Sequence, residues 1–207
     1  MNFKKLPLFV LFMCSVITSS VKAQNRLEPY TTSIFDSYDE HYHYLSSIRK
    51  ILFEDVHPEY TPFARYIVVP SFKCEYVLSF DYHELPKYHL TLTKPKQSIW
   101  YTRNESNLNI EIIKIQKEID SSDMKLIVAL IEKSIKQSKV TNHSGYDGTN
   151  YFFTNSQQTA KIWSPKTNTK TYHLIEIMNE IIKLVESEEK TIKFSPELVK
   201  RIKKLNR

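Results

Sequence analysis

The sequence predicts an α+β fold in one domain, an antiparallel β-meander and a β-hairpin packed with about four helices. Stretches with apolar residues every three or four positions share the chain with stretches of two-residue alternation, so both helices and half-buried strands are present. The strand-like stretches between residues 66 and 115 follow one another too closely for crossover helices, which makes neighbouring strands antiparallel. No repeat, low-complexity tract or long linker divides the chain, so residues 24–207 read as a single domain.

The elements follow in order. Tyr38, Tyr42, Leu45, Ile48 and Leu52 mark one face of a helix over 33–53. Pro58, Pro62 and Pro70 punctuate the chain, and Tyr66-Ile67-Val68-Val69 between the last two is a β-branched strand. Tyr76, Leu78, Phe80 and Tyr82 alternate with polar or smaller neighbours, as do Tyr88, Leu90 and Leu92, giving two more strands. Segments 98–102, around Trp100, and 108–115 complete the meander. A helix over 123–136 carries Met124, Ile127, Ile131 and Ile135, with Ser121, Ser122 or Asp123 available as its cap. Segments 149–153 and 160–163 form the hairpin. The strongest helical pattern runs over 171–186, with Leu174, Ile177, Met178, Ile181, Ile182 and Val185. Ser195 caps a last short helix that has Pro196 at its first position.

Residues 1–23 have the form of a secretory signal: Lys4 and Lys5, an apolar run from Leu6 to Ile17, and Val21-Lys22-Ala23 before Gln24. That run is shorter than the roughly 20 residues a membrane-spanning helix needs. The expectation is export to the periplasm or the extracellular space, with no transmembrane span. Cleavage after Ala23 removes three lysines and no acid, lowering the formal charge from +6 to +3. A balance so near neutral does not argue for nucleic acid as a partner. Cleavage also removes Cys14, leaving Cys74 without an internal disulfide partner.

Several chemistries lack their sequence signals. Only two glycines occur, Gly145 and Gly148, so neither a phosphate-cradling glycine loop nor a G-x-S-x-G elbow is present. Asp36, Glu40, His43 and Tyr44 would share a helical face and admit a divalent metal or a carboxylate-oriented base, but the same pattern describes a solvated polar face. His83, Glu84 and His89, near Asp81, surround a turn at Pro86 and equally fit an exposed hairpin connection. Neither set fixes a ligand geometry, so no metal and no cofactor are expected, and no catalytic residue is assigned.

The most distinctive segment is Tyr146-Asp147-Gly148-Thr149-Asn150-Tyr151-Phe152-Phe153, followed by Trp163-Ser164-Pro165. A turn feeding aromatic residues makes a rigid recognition edge, because Tyr and Trp supply contact area at little rotamer cost. Tyr146, Asp147, Tyr151, Phe152 and Trp163 are therefore the expected binding residues. The same pattern is also that of a tight turn leading an aromatic strand into the core. Lys200, Arg201, Lys203 and Lys204 could touch an anionic surface weakly, and equally they complement a helix C-terminus.

Pro70-Ser71-Phe72 with Glu75-Tyr76, Asp147-Gly148-Thr149 with Tyr151 and Phe153, and Trp163-Ser164-Pro165 ahead of an amphipathic helix resemble small exported bacterial proteins of unassigned function. The resemblance implies export and a single α+β domain, and implies no mechanism. The expected function is that of an extracytoplasmic, non-enzymatic binding protein with a protein partner. The alternative is a small secreted hydrolase or metal-dependent enzyme using Asp36, Glu40 and His43 or the His83 and His89 turn.

Overall fold

The computed structural model describes residues 25–30, 43–53, 62–84, 87–102, 110–141 and 147–207, without the side chains of 82–84. In chain order the elements are β1 (Glu28–Tyr30), α1 (His43–Leu52), β2 (Ala64–Pro70), β3 (Tyr76–Glu84), β4 (Lys87–Pro95), α2 (Ile99–Thr102) and β5 (Ile112–Ile119). They continue with α3 (Ser121–Lys136), β6 (Thr149–Asn155), β7 (Thr159–Trp163), α4 (Lys170–Glu186), β8 (Thr191–Ile192) and α5 (Pro196–Leu205). The fold is α+β, with one mixed eight-stranded sheet in the order β1-β7-β6-β2-β3-β4-β5-β8. Strands β2 to β5 form the meander, the β6–β7 hairpin joins it along β2, and β8 adds the one parallel pairing of the sheet, to β5.

Two-residue alternation assigns each strand residue to a face. Ala64, Tyr66, Val68, Leu78, Phe80, Leu90, Leu92, Phe153, Ala160 and Ile162 point to one side, where they meet α3, α4 and α5 in the larger core. Ile67, Val69, Val77 and Phe152 point to the other, where Ile48 and Leu52 of α1 and Ile99 of α2 cover them in a smaller cluster. On β2 both sets are apolar, so residues 66–69 are all buried. This continuous apolar run belongs to a central strand with a layer on each side.

The helices end where local chemistry predicts. Thr169 accepts from Tyr172 N at the start of α4, and Ser195 accepts from Leu198 N at 3.1 Å at the start of α5. Asp123 departs from its expected role as a cap. It lies within the first turn of α3, is buried, and its carboxylate accepts the backbone N–H of Phe194 at 2.8 Å. It thus ties α3 to the segment entering α5.

Segment 98–102 is a second departure, since Ile99–Thr102 is a helical turn and not a strand. Its Ile, Trp, Tyr and Thr favour strands, but the Glu75 carboxylate captures the first N–H groups of the turn, and that tertiary bond outweighs propensity. The last meander strand lies four residues later than the pattern indicates at each end, and residues 103–109 fall outside the described part. Strands β1 and β8 are too short, at three and two residues, to carry an alternation signal.

Candidate functional site

The three short motifs of the sequence meet at one end of the sheet. Pro70 ends β2, Tyr76 begins β3, Thr149 begins β6 and Trp163 ends β7, and the strand registers bring all four to the same edge. There the Ser71 hydroxyl and backbone N–H both donate to Gly148 O, at 2.7 and 2.9 Å, while Gly148 N donates back to Ser71 Oγ at 3.1 Å. Ser164 N donates to Thr149 O and Ser164 Oγ accepts from Thr149 N. Backbone and hydroxyl groups of Ser71 and Gly148, 77 positions apart, thus satisfy one another.

Gly148 adopts a φ of 144°, and a Cβ there would come within 2.2 Å of Ser164 Oγ and 2.8 Å of Trp163 Nε1. Both the backbone angle and the space therefore require glycine. Ser164 itself holds a positive φ of 36°.

Beside this junction lies Glu75, with no solvent exposure. Its carboxylate accepts from Ile99 N at 2.9 Å, Trp100 N at 3.1 Å, Ser98 Oγ at 3.2 Å and the Tyr44 hydroxyl. One side chain from the β2–β3 turn therefore fixes α2 and α1 together, and the negative group sits at the positive end of the α2 turn. The Tyr44 ring also packs edge-on against Trp100, with centroids 4.9 Å apart. This clamp leaves Phe72, Trp100 and Tyr101 facing solvent at 73, 43 and 64% exposure.

The residues expected to bind are distributed differently from the expected edge. Tyr146 lies outside the described residues. Asp147 is exposed at the junction. Phe152 and Trp163 are buried at 3 and 8% exposure, and Tyr151 is half-buried against Tyr66, its ring stacked at 6.1 Å. The aromatic strand is thus an internal one, with β2 and β7 on its flanks and a layer on each face. Of the expected binding residues that are described, Asp147 therefore faces solvent, Tyr151 does so in part, and Phe152 and Trp163 lie inside. The exposed aromatics come instead from Phe72 and the 98–102 segment, and only Phe72 lies in a motif.

Tyrosines gather on the larger-core face of the sheet. The Tyr66 hydroxyl is buried without a hydrogen-bond partner among the described residues, and burial raises its pKa well above the ordinary phenol range, with Tyr76 and Tyr151 adding to the rise. Burial likewise pushes Tyr76 up to about 12. On the opposite face Arg65 lies over the Phe53 ring at 4.6 Å. Burial lowers its pKa to about 10 and neighbouring Asp81 opposes that shift. Asp81 is directly opposite His89 in the β3–β4 pair, and His89 is opposite Glu118 in the next. The side chains of His83 and Glu84 are not among the described ones. Asp36 and Glu40 also lie outside, and His43 is the exposed first residue of α1. Among the described residues no group of three His, Cys, Asp or Glu side chains could hold a metal ion.

Helix α5 buries Leu198 and Ile202 and exposes Lys200, Arg201, Lys203 and Lys204, with Arg201 paired to Glu180. No described helix is long and apolar enough to cross a membrane. Comparisons of the chain with family models, with curated proteins and with solved structures find no match in any of the three.

Proposed function

We propose that the protein is an exported, non-enzymatic binding protein that holds a protein partner through Phe72, Trp100 and Tyr101 at the motif end of the sheet. The observation that carries the reading is the exposure of these three large aromatics on a surface fixed from beneath by Glu75. Aromatic side chains concentrate binding energy at interfaces, and a platform ordered before binding loses less entropy on association. Asp147 lies at the same end and supplies a polar rim. Phe152, buried in the same cluster as Ile99, supports the platform from within.

The test is capture from envelope extract with the wild-type protein and a Phe72→Ser/Trp100→Ser/Tyr101→Ser variant. A partner held by the wild type should be lost from the variant, while thermal unfolding of the two proteins stays within a few degrees. Equal capture by both proteins would sink the reading.

A further inference from the structure

A second surface lies away from the aromatic end, where the strand-like lead into β1 crosses between the end of α3 and the start of α4. A cavity of about 580 Å³ opens there, within the range of small-molecule sites. Its walls are held in place: Thr171 Oγ1 donates to Asn25 O at 3.1 Å, and Lys139 N donates to Leu27 O at 2.8 Å. Leu27, Leu130 and Leu174, all buried, line its floor. Arg26, Lys136, Lys139 and Lys170 line it as well, all four exposed, and no acidic residue does.

Fold stability does not account for this charge. Lys136 sits in the last turn of α3, where a cation complements the helix dipole. Lys170 opens α4, at the end where a cation is disfavoured, and the first turn of α4 contains no acid to offset it. Among the described residues none of the four cations has an ion-pair partner. Four cations around one cavity that no described acid lines make its rim positive, which favours an anion there. A local rule broken at a preformed cavity marks a functional site more often than a structural one.

We propose that this pocket binds a small amphiphilic anion, its charged head among Lys136, Lys139, Lys170 and Arg26 and its apolar chain over the leucine floor. The site is independent of the aromatic surface, and either can fail without the other.

Calorimetric titration with decanoate tests it, with decanol and acetate as the two halves of the ligand offered separately. Decanoate should bind saturably at one site, more tightly than either half, and weaken several-fold as salt is raised. A Lys136→Gln/Lys170→Gln variant should bind it at least tenfold more weakly. A Lys125→Gln/Lys183→Gln variant, with the same change in net charge at exposed positions outside the pocket, should bind it within twofold of the wild type. Absence of saturable decanoate binding, equal weakening in both variants, salt-independent binding, or acetate or decanol binding as tightly as decanoate would each overturn the proposal.

Discussion

The larger-core face of the sheet carries α3, α4 and α5, two of them long, while the opposite face carries ten-residue α1 and the single turn α2. The first layer is held chiefly by dispersion and burial, with Asp123 tying α3 to the segment entering α5. Met124, Ile127, Ile131, Ile177, Met178 and Ile181 interleave with Leu78, Phe80, Leu90 and Leu92, all nearly or fully buried. Among the described residues the second layer has fewer apolar anchors, chiefly Ile48, Leu52 and Ile99 against Ile67, Val77 and Phe152, and adds the Glu75 clamp. The difference teaches that a thin layer on a sheet can be fixed by one buried carboxylate with several donors where apolar area is too small to fix it. It also separates tasks, since the thick layer stabilises the fold and the thin layer presents the exposed aromatics.

The largest effect expected from breaking this comparison is in the thick layer. Ile181→Ala, at a fully buried position, should cost about 3–4 kcal/mol and lower the single global unfolding transition. Ile48→Ala, equally buried on the inner face of α1, should cost about 2 kcal/mol, because a small layer near solvent relaxes into the gap more readily. Hydrogen exchange sharpens the contrast: Ile48→Ala should accelerate exchange in α1 and α2 alone, whereas Ile181→Ala should accelerate it throughout the sheet. Equal acceleration everywhere in both variants would show that the two layers open as one.

A smaller effect tests the clamp. Glu75→Gln keeps the shape but replaces one acceptor oxygen with a donor, which then faces an N–H or a hydroxyl that already donates. The expected cost is about 2 kcal/mol. It should appear as faster exchange at Ile99 and Trp100 and as changed Trp100 fluorescence, with the exchange of α3 and α4 unaltered. A loss spread evenly over the sheet would mean that the clamp supports the whole fold and not the thin layer.

The smallest effect concerns the unpartnered Tyr66 hydroxyl. Tyr66→Phe removes a buried group that makes no hydrogen bond, so stability should stay within about 1 kcal/mol of the wild type or rise. Alkaline titration extends the test to Tyr76. Its folded pKa lies above the unfolded value of 10.0, so its contribution to stability is complete below pH 10 and is lost as pH rises towards about 12. Thermal unfolding followed from pH 9 to 12 should therefore fall less steeply for Tyr76→Phe than for the wild type. Identical slopes would show that the phenol is solvated in the folded state.

The sequence by itself determined the α+β class, the meander, the β6–β7 hairpin and the helices from α3 onwards. Each of these rests on a periodicity repeated over several residues, and periodicity is a local property of the chain. It also marked the three short motifs and the special position of Gly148. Only tertiary structure decided what those motifs do. Strand alternation says that Phe152 and Tyr151 point opposite ways, but it cannot say that a layer covers each face, so the aromatic strand looked exposed from one side. The helical turn at Ile99–Thr102 depends on Glu75, 24 residues earlier, accepting its first N–H groups. The basic pocket gathers Arg26, Lys136 and Lys170 from three distant segments. Such contacts are set by the packing of whole layers, and no local pattern encodes a contact whose two halves lie so far apart along the chain.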